Sequence, residues 1–120
     1  MANIRMSRIN GELQKAIAEV VSKMNNPELD GLIISIVDVD TTADLSMARV
    51  AVSVLSTDQI KDLVVACLNK AKNFIRREVM RMVRLRTMPE LIFSKDDSYE
   101  KSQKLMDLIE KVSNDDRADD

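Results

Sequence analysis

The chain has 120 residues, 45% of them hydrophobic, a net charge of -2, one cysteine and no histidine. That length supports one domain with its own core. The composition excludes an intrachain disulfide, histidine triads, histidine acid–base chemistry and histidine-ligated zinc.

Residues 5–24 read as a helix, because Met6, Ile9, Leu13, Ala16, Ile17, Val20, Val21 and Met24 recur every three or four positions. Asn25-Asn26-Pro27 should stop it, and Asp30-Gly31 marks a turn. Residues 32–40, LIISIVDVD, are β-branched and predict a strand. Their alternation is imperfect, with both faces apolar in the first half, which suits a central strand or a bulge. Residues 41–46 form a turn, and residues 47–55 predict a cleaner strand with Ala48, Val50, Val52 and Val54 on one face.

Ser56 with Gln59 fits a capping box, and Thr57 is a rival N-cap. The helix that follows, about 58–72, carries Ile60, Leu63, Val64, Cys67, Leu68 and Ala71 on its apolar stripe. Phe74, Ile75, Val79, Met82 and Val83 then begin a displaced phase. Two helices meeting near Asn73 are expected, since Asn tolerates a left-handed backbone. Cys67 should be a buried, inert thiol. Pro89 precedes a third strand over 90–94, with Leu91 and Phe93 sharing a face. A final helix is expected over 98–112, with Tyr99, Leu105, Met106, Leu108, Ile109 and Val112 as its apolar content. One domain over 1–112 and an acidic, flexible tail over 113–120 complete the chain. The order α-β-β-α-α-β-α describes an α+β fold, three strands with helices on one face.

The charge is unevenly spread. Residues 70–87 hold Lys70, Lys72, Arg76, Arg77, Arg81, Arg84 and Arg86 against one acid, Glu78. Arginine's planar fork suits phosphate. Helical spacing puts Arg77, Arg81 and Arg84 on one face, and Arg5 and Arg8 on the first helix are the next candidates. The competing interpretation is a solvated helix face. No GxGxxG or GxxxxGK motif is present, and the pairs Asp38/Asp40 and Asp96/Asp97 read as solvated charges. An enzyme is not indicated, and no cofactor or metal is called for. Three classes stay open: an RNA or ribonucleoprotein binding module, a small protein–protein adaptor with a solvated basic helix, and a helical-interface oligomer. With only Phe74, Phe93 and Tyr99 as aromatics, RNA binding would rest on phosphate and shape. No run approaches 18 apolar residues and MANIRMSR lacks a signal-peptide core, so a cytoplasmic protein is expected.

Several of these segments resemble bacterial ribosome-binding factor A. Arg8 to Ile17, RINGELQKAI, is similar to the family's opening helix. Ile34 to Val54, ISIVDVDTTADLSMARVAVSV, is similar to its first two strands, with Asp44-Leu45-Ser46 the most telling triplet. Ala71 to Arg76 resembles its A-x-G-F-I-R, with Asn73 in place of glycine. Leu85, Arg86, Pro89, Glu90, Leu91 and Phe93 resemble its L-R-x-x-P-E-L-x-F segment, and Asp96 or Asp97 with Ser98 its D-D-S.

The resemblance covers about residues 4–112. It implies a KH-like domain of type II topology with a mixed three-stranded sheet. The first strand would be central, antiparallel to the second and parallel to the third. A helix-kink-helix at Ala71–Asn73 would replace the GxxG loop of ordinary KH domains. It also implies a monomeric, non-enzymatic assembly factor. Such a factor binds late precursors of the 30S subunit and free 30S, and supports 16S rRNA 5′-end maturation, especially in the cold. Neighbouring ribosomal proteins are further expected contacts; a membrane or DNA partner is not.

Overall fold

The computed structural model describes residues 4–96 and 106–110. Helix α1 spans Ile4–Lys23. It buries Leu13, Ala16, Ile17, Val20 and Val21, the stripe its apolar spacing predicts. A short 3-10 turn, Pro27–Leu29, follows, capped by Asn26, whose Oδ1 accepts from the Glu28 N–H at 3.0 Å. Gly31, at φ 79, takes the left-handed turn into the sheet.

Strands β1 (Ile34–Thr41) and β2 (Met47–Val54) pair antiparallel, and β3 (Glu90–Lys95) pairs parallel to β2. The order β1-β2-β3 makes β2 the central strand, which corrects the expectation that β1 is central and parallel to the third strand. The doubly apolar start of β1 has a different cause. Its register shifts between Ile36 and Asp38, so Val37 is bulged and has no partner on β2. The core face therefore passes from Ile36 to Val39 instead of keeping period two. Gln14 of α1 meets this irregularity, its Nε2 donating to the Ile36 carbonyl at 3.0 Å. Asn10 Oδ1 accepts from the Thr41 N–H at 3.1 Å, fixing α1 along the same edge strand.

Ala48, Val50, Val52 and Val54 of β2 face the helices with Leu91 and Phe93 of β3, all buried. Burying each larger apolar side chain contributes roughly 1.5–3 kcal/mol. The helices pack on this one face, giving the α+β, KH-like arrangement; the opposite face exposes Val37 and Ile92.

Helices α2 (Asp58–Lys70) and α3 (Lys72–Met82) meet at Ala71. Thr57, not Ser56, caps α2, its Oγ1 accepting from the Ile60 N–H at 3.3 Å. The helices meet at Ala71, two residues before Asn73 and within the expected Ala71–Asn73 stretch. Ala71 sits at φ -91, ψ 6, a conformation open to any L-residue, so no left-handed residue is needed. Among the described non-glycine residues only Leu45 has positive φ. The Ala71 N–H still donates to the Cys67 carbonyl at 3.1 Å, and its carbonyl accepts from the Ile75 N–H at 3.0 Å. The helical ladder is thus interrupted only around this one corner, with Ala71 itself bonded to both helices.

The Asn69 side chain both accepts from the Phe93 N–H at 2.9 Å and donates to the Phe93 carbonyl at 3.0 Å. It thereby covers the outer edge of β3. Cys67 is buried, and its thiol donates to Glu28 Oε2 at 2.7 Å. That carboxylate first, and burial second, push the thiol pKa up, as an inert cysteine requires. Of the expected C-terminal helix, residues 106–110 are helical. Tyr99, Leu105, Val112 and the acidic tail lie outside the described residues.

Candidate RNA-binding groove

The basic residues of 70–87 do not form one surface. At about 100° per residue, those of α3 point three ways. Ile75 and Val79 face the core, which turns Arg76 toward the loop before β3. The Arg76 guanidinium donates to the Met88 carbonyl at 2.7 Å and the Pro89 carbonyl at 3.2 Å. Arg76 is therefore a bracket between α3 and β3, contrary to its expected place on an RNA surface. Arg77 points to solvent opposite the core. Arg81 turns toward α1 and lies 3.5 Å from Glu78. Lys70 ends α2, and Lys72 starts α3 on the Arg76 side.

Arg84 does not continue the face of Arg77 and Arg81. The helix ends at Met82, and Val83 is extended at φ -119, ψ 129. Arg84 and Arg86 leave the helix axis on the segment leading to β3 and approach the start of α1. There they border a groove of about 690 Å³ with Arg5, Arg8, Lys15, Glu12, Glu19 and Leu45. Five cations thus face two carboxylates. Arg8 lies 3.4 Å from Glu12 and is 81% exposed, so this ion pair is a weak constraint. Arg5 and Arg8 lie in the first described turns of α1.

Lys15 was not among the residues singled out from the sequence. Its signal is the polar stripe Arg5, Arg8, Glu12, Lys15, Glu19, at alternating spacings of three and four. Leu45 was also missed as a lining residue. It is held at φ 62 in the β1–β2 turn, where an L-residue is strained. Asp44 holds the turn together. Its Oδ1 accepts from Thr42 Oγ1 at 2.8 Å, Ser46 Oγ at 2.7 Å and the Ser46 N–H at 3.0 Å. These bonds, the Ser46 hydroxyl foremost, lower the Asp44 pKa from 3.8 to about 2.

Phosphate can be met here by guanidinium forks and by lysine, on a surface open enough for a helix backbone. Base stacking has little support: Phe93 is buried, and Phe74 lines a separate hollow. Among the described residues no group of three acidic, cysteine or histidine side chains could hold a metal, and no helix is long and apolar enough to cross a membrane.

A KH-like α+β domain carrying a basic groove, without a metal cluster among its described residues, defines the class. Residues 5–109 match the family model of ribosome-binding factor A. The chain is 37% identical over 120 residues to ribosome-binding factor A of Clostridium acetobutylicum, covering 99% of this chain and 98% of the relative. A Thermotoga maritima structure, proposed to be a ribosome-binding factor A, superposes with a TM-score of 0.70 at 29% identity, over 78% of this chain and 89% of that one. The Thermus thermophilus factor, as a homology model fitted into an electron cryo-microscopy map of a 30S complex, shares the fold at 23% identity. It gives a TM-score of 0.61 over 73% of this chain and 91% of that one. The chain belongs to the ribosome-binding factor A family, and that membership supports a general role in ribosome assembly.

Proposed function

We propose that this protein is a monomeric, cytoplasmic, non-enzymatic assembly factor of the small ribosomal subunit. It engages the 30S subunit and its late precursors through 16S rRNA phosphates in the groove between α1 and the segment 82–86. It supports maturation of the 16S rRNA 5′ end, with its greatest effect in the cold, and contacts neighbouring ribosomal proteins. The observation that carries this reading is the convergence of Arg5, Arg8, Lys15, Arg84 and Arg86, from two distant stretches of chain, on one hollow. A merely solvated helix face would have no reason to gather them. The Thermus thermophilus factor's place in a 30S map is consistent with it. The acidic remainder limits indiscriminate binding to nucleic acid.

The test is co-sedimentation with 30S subunits across a salt series, comparing the natural chain with Arg5→Ala/Arg84→Ala/Arg86→Ala. If each arginine neutralises one phosphate, the variant's salt dependence flattens by about three units, and affinity falls at least about tenfold at low salt. Unchanged affinity and slope would remove the groove from the interface.

A further inference from the structure

The groove between α1 and the segment 82–86 is built in two layers. All five of its cations are exposed, whereas Ile9, Leu45, Val83 and Leu85 of its apolar lining are half-buried. The cations thus form a rim around an aliphatic floor. Phosphate needs only the rim. The floor is apolar surface facing water at the place where the charges converge.

Leu45 separates the two layers most clearly. Its φ of 62 suits glycine or asparagine and disfavours a branched L-residue. The turn fixes that conformation from both sides. The Leu45 N–H donates to the Thr42 carbonyl at 2.9 Å, and the Ser46 N–H donates to Asp44 Oδ1 at 3.0 Å. Among the described half-buried apolar residues that pack against the core are Ile9, Val83 and Leu85, but not Leu45. Neither the backbone nor the core calls for leucine at this position. The surface its side chain does border is the groove.

An RNA duplex has no use for such a floor. Its bases are stacked inside, and it presents phosphate and ribose to a protein. An unpaired nucleotide presents the flat face of a base together with its phosphate. Among the described residues no aromatic side chain lines the groove, so a base there meets aliphatic side chains or a guanidinium plane. At about 690 Å³ the hollow falls within the roughly 300–1,000 Å³ of sites that enclose most of a small ligand.

We propose that the groove takes unpaired RNA. Phosphates of the strand lie on the cationic rim, and an unstacked base packs on the floor against Leu45. The inference rests on the groove being the RNA site. It makes Leu45 the residue that separates single strands from duplexes, since the cations attract both.

The test measures binding of the full chain to three probes. These are a short RNA strand without internal pairing, its duplex with the complementary strand, and the same strand built from base-free ribose. The strand should bind about tenfold tighter than the duplex at physiological salt, although the duplex carries the denser phosphate charge. The base-free strand should bind about tenfold more weakly than its parent, with the same salt slope. Equal binding of strand and duplex, or of parent and base-free strands, would overturn the proposal. Leu45→Gly suits the positive φ and keeps the fold, so it removes the side chain alone. It should weaken strand binding about fivefold and leave duplex binding within about twofold, and Leu45→Met should restore the strand preference. A glycine variant with the natural strand preference would overturn the role of Leu45 and of the floor. The groove itself has a separate arm, Arg5→Ala/Arg84→Ala/Arg86→Ala, which should weaken strand and duplex alike. If that variant binds both unchanged, the groove reading fails. If it weakens both while the natural chain shows no strand preference, the groove stands and the proposal of unpaired RNA falls.

Discussion

Two regions of this protein carry most of its positive charge, and they do different work. The α2–α3 corner has the higher density along the chain, yet folding disperses it: Arg76 into backbone carbonyls, Arg77 to solvent, Arg81 toward Glu78. The groove draws Arg5, Arg8 and Lys15 from one end of the sequence and Arg84 and Arg86 from another. Charge per residue measures neither the field at a surface nor which cations are already occupied. Arg81 and Arg84 illustrate this best: they border different hollows because a helix end lies between them.

The largest expected effect separates the regions by stability. Arg76→Ala removes the donors to Met88 and Pro89 and leaves two partly buried carbonyls short of a partner. It should cost about 1.5–3 kcal/mol in urea unfolding, the range for hydrogen bonds to a charged group. Arg84→Ala and Arg86→Ala, both exposed, should each cost about 0.5 kcal/mol or less. Equal costs for Arg76 and Arg84 would erase the distinction between bracket and groove.

Much of the fold is legible in the sequence because period and parity act locally. The stripe of α1, the alternation of β2 and the shared face of Leu91 and Phe93 are set within a few residues of each other. Strand order is not local. The apolar start of β1 fits a central strand and a bulge equally well, and only pairing shows that Val37 is the extra residue. Within the expected Ala71–Asn73 corner, backbone preference points to Asn73, whereas the helices meet at Ala71 in a conformation needing no special residue. The site was the least legible part. Arg84 and Arg86 were named, but their partners at Arg5, Arg8 and Lys15 lie about seventy or more positions away. The occupation of Arg76 by the Met88 and Pro89 carbonyls leaves no mark in composition.

A smaller effect sharpens the comparison on the binding side. Lys70→Ala/Lys72→Ala/Arg77→Ala removes as many charges as the groove triple but from outside the groove. Long-range field alone should weaken 30S association by less than about threefold at physiological salt, where screening reaches roughly 8 Å. The slope of affinity against salt should stay near that of the natural chain, because no phosphate contact is lost. Should this triple match the groove triple in both affinity and slope, RNA would be contacted across the whole basic face.

The smallest effect concerns the turn that presents Leu45 to the groove. Asp44 is fully at the surface, so its pKa of about 2 reflects the hydroxyls of Ser46 and Thr42 and the Ser46 N–H. These groups bind the carboxylate better than the carboxylic acid. The folded pKa lies below the ordinary 3.8, so the linked stability is present above 3.8 and is lost as pH falls through about 2. In Asp44→Asn that contribution should be missing at neutral pH, and the decline of stability between pH 4 and 2 should be shallower than in the natural chain. The comparison is made by thermal unfolding at closely spaced pH values. Leu45 sits at φ 62 only while this network holds it, so the variant should also disturb the amide resonances of Leu45 and Ser46. Those of Asp62 and Lys95, at the opposite end of the sheet, should stay in place. A variant with the same acid limb as the natural chain would mean that the turn holds its shape without the carboxylate. The groove would then take its Leu45 wall from the Thr42–Met47 backbone bonds alone.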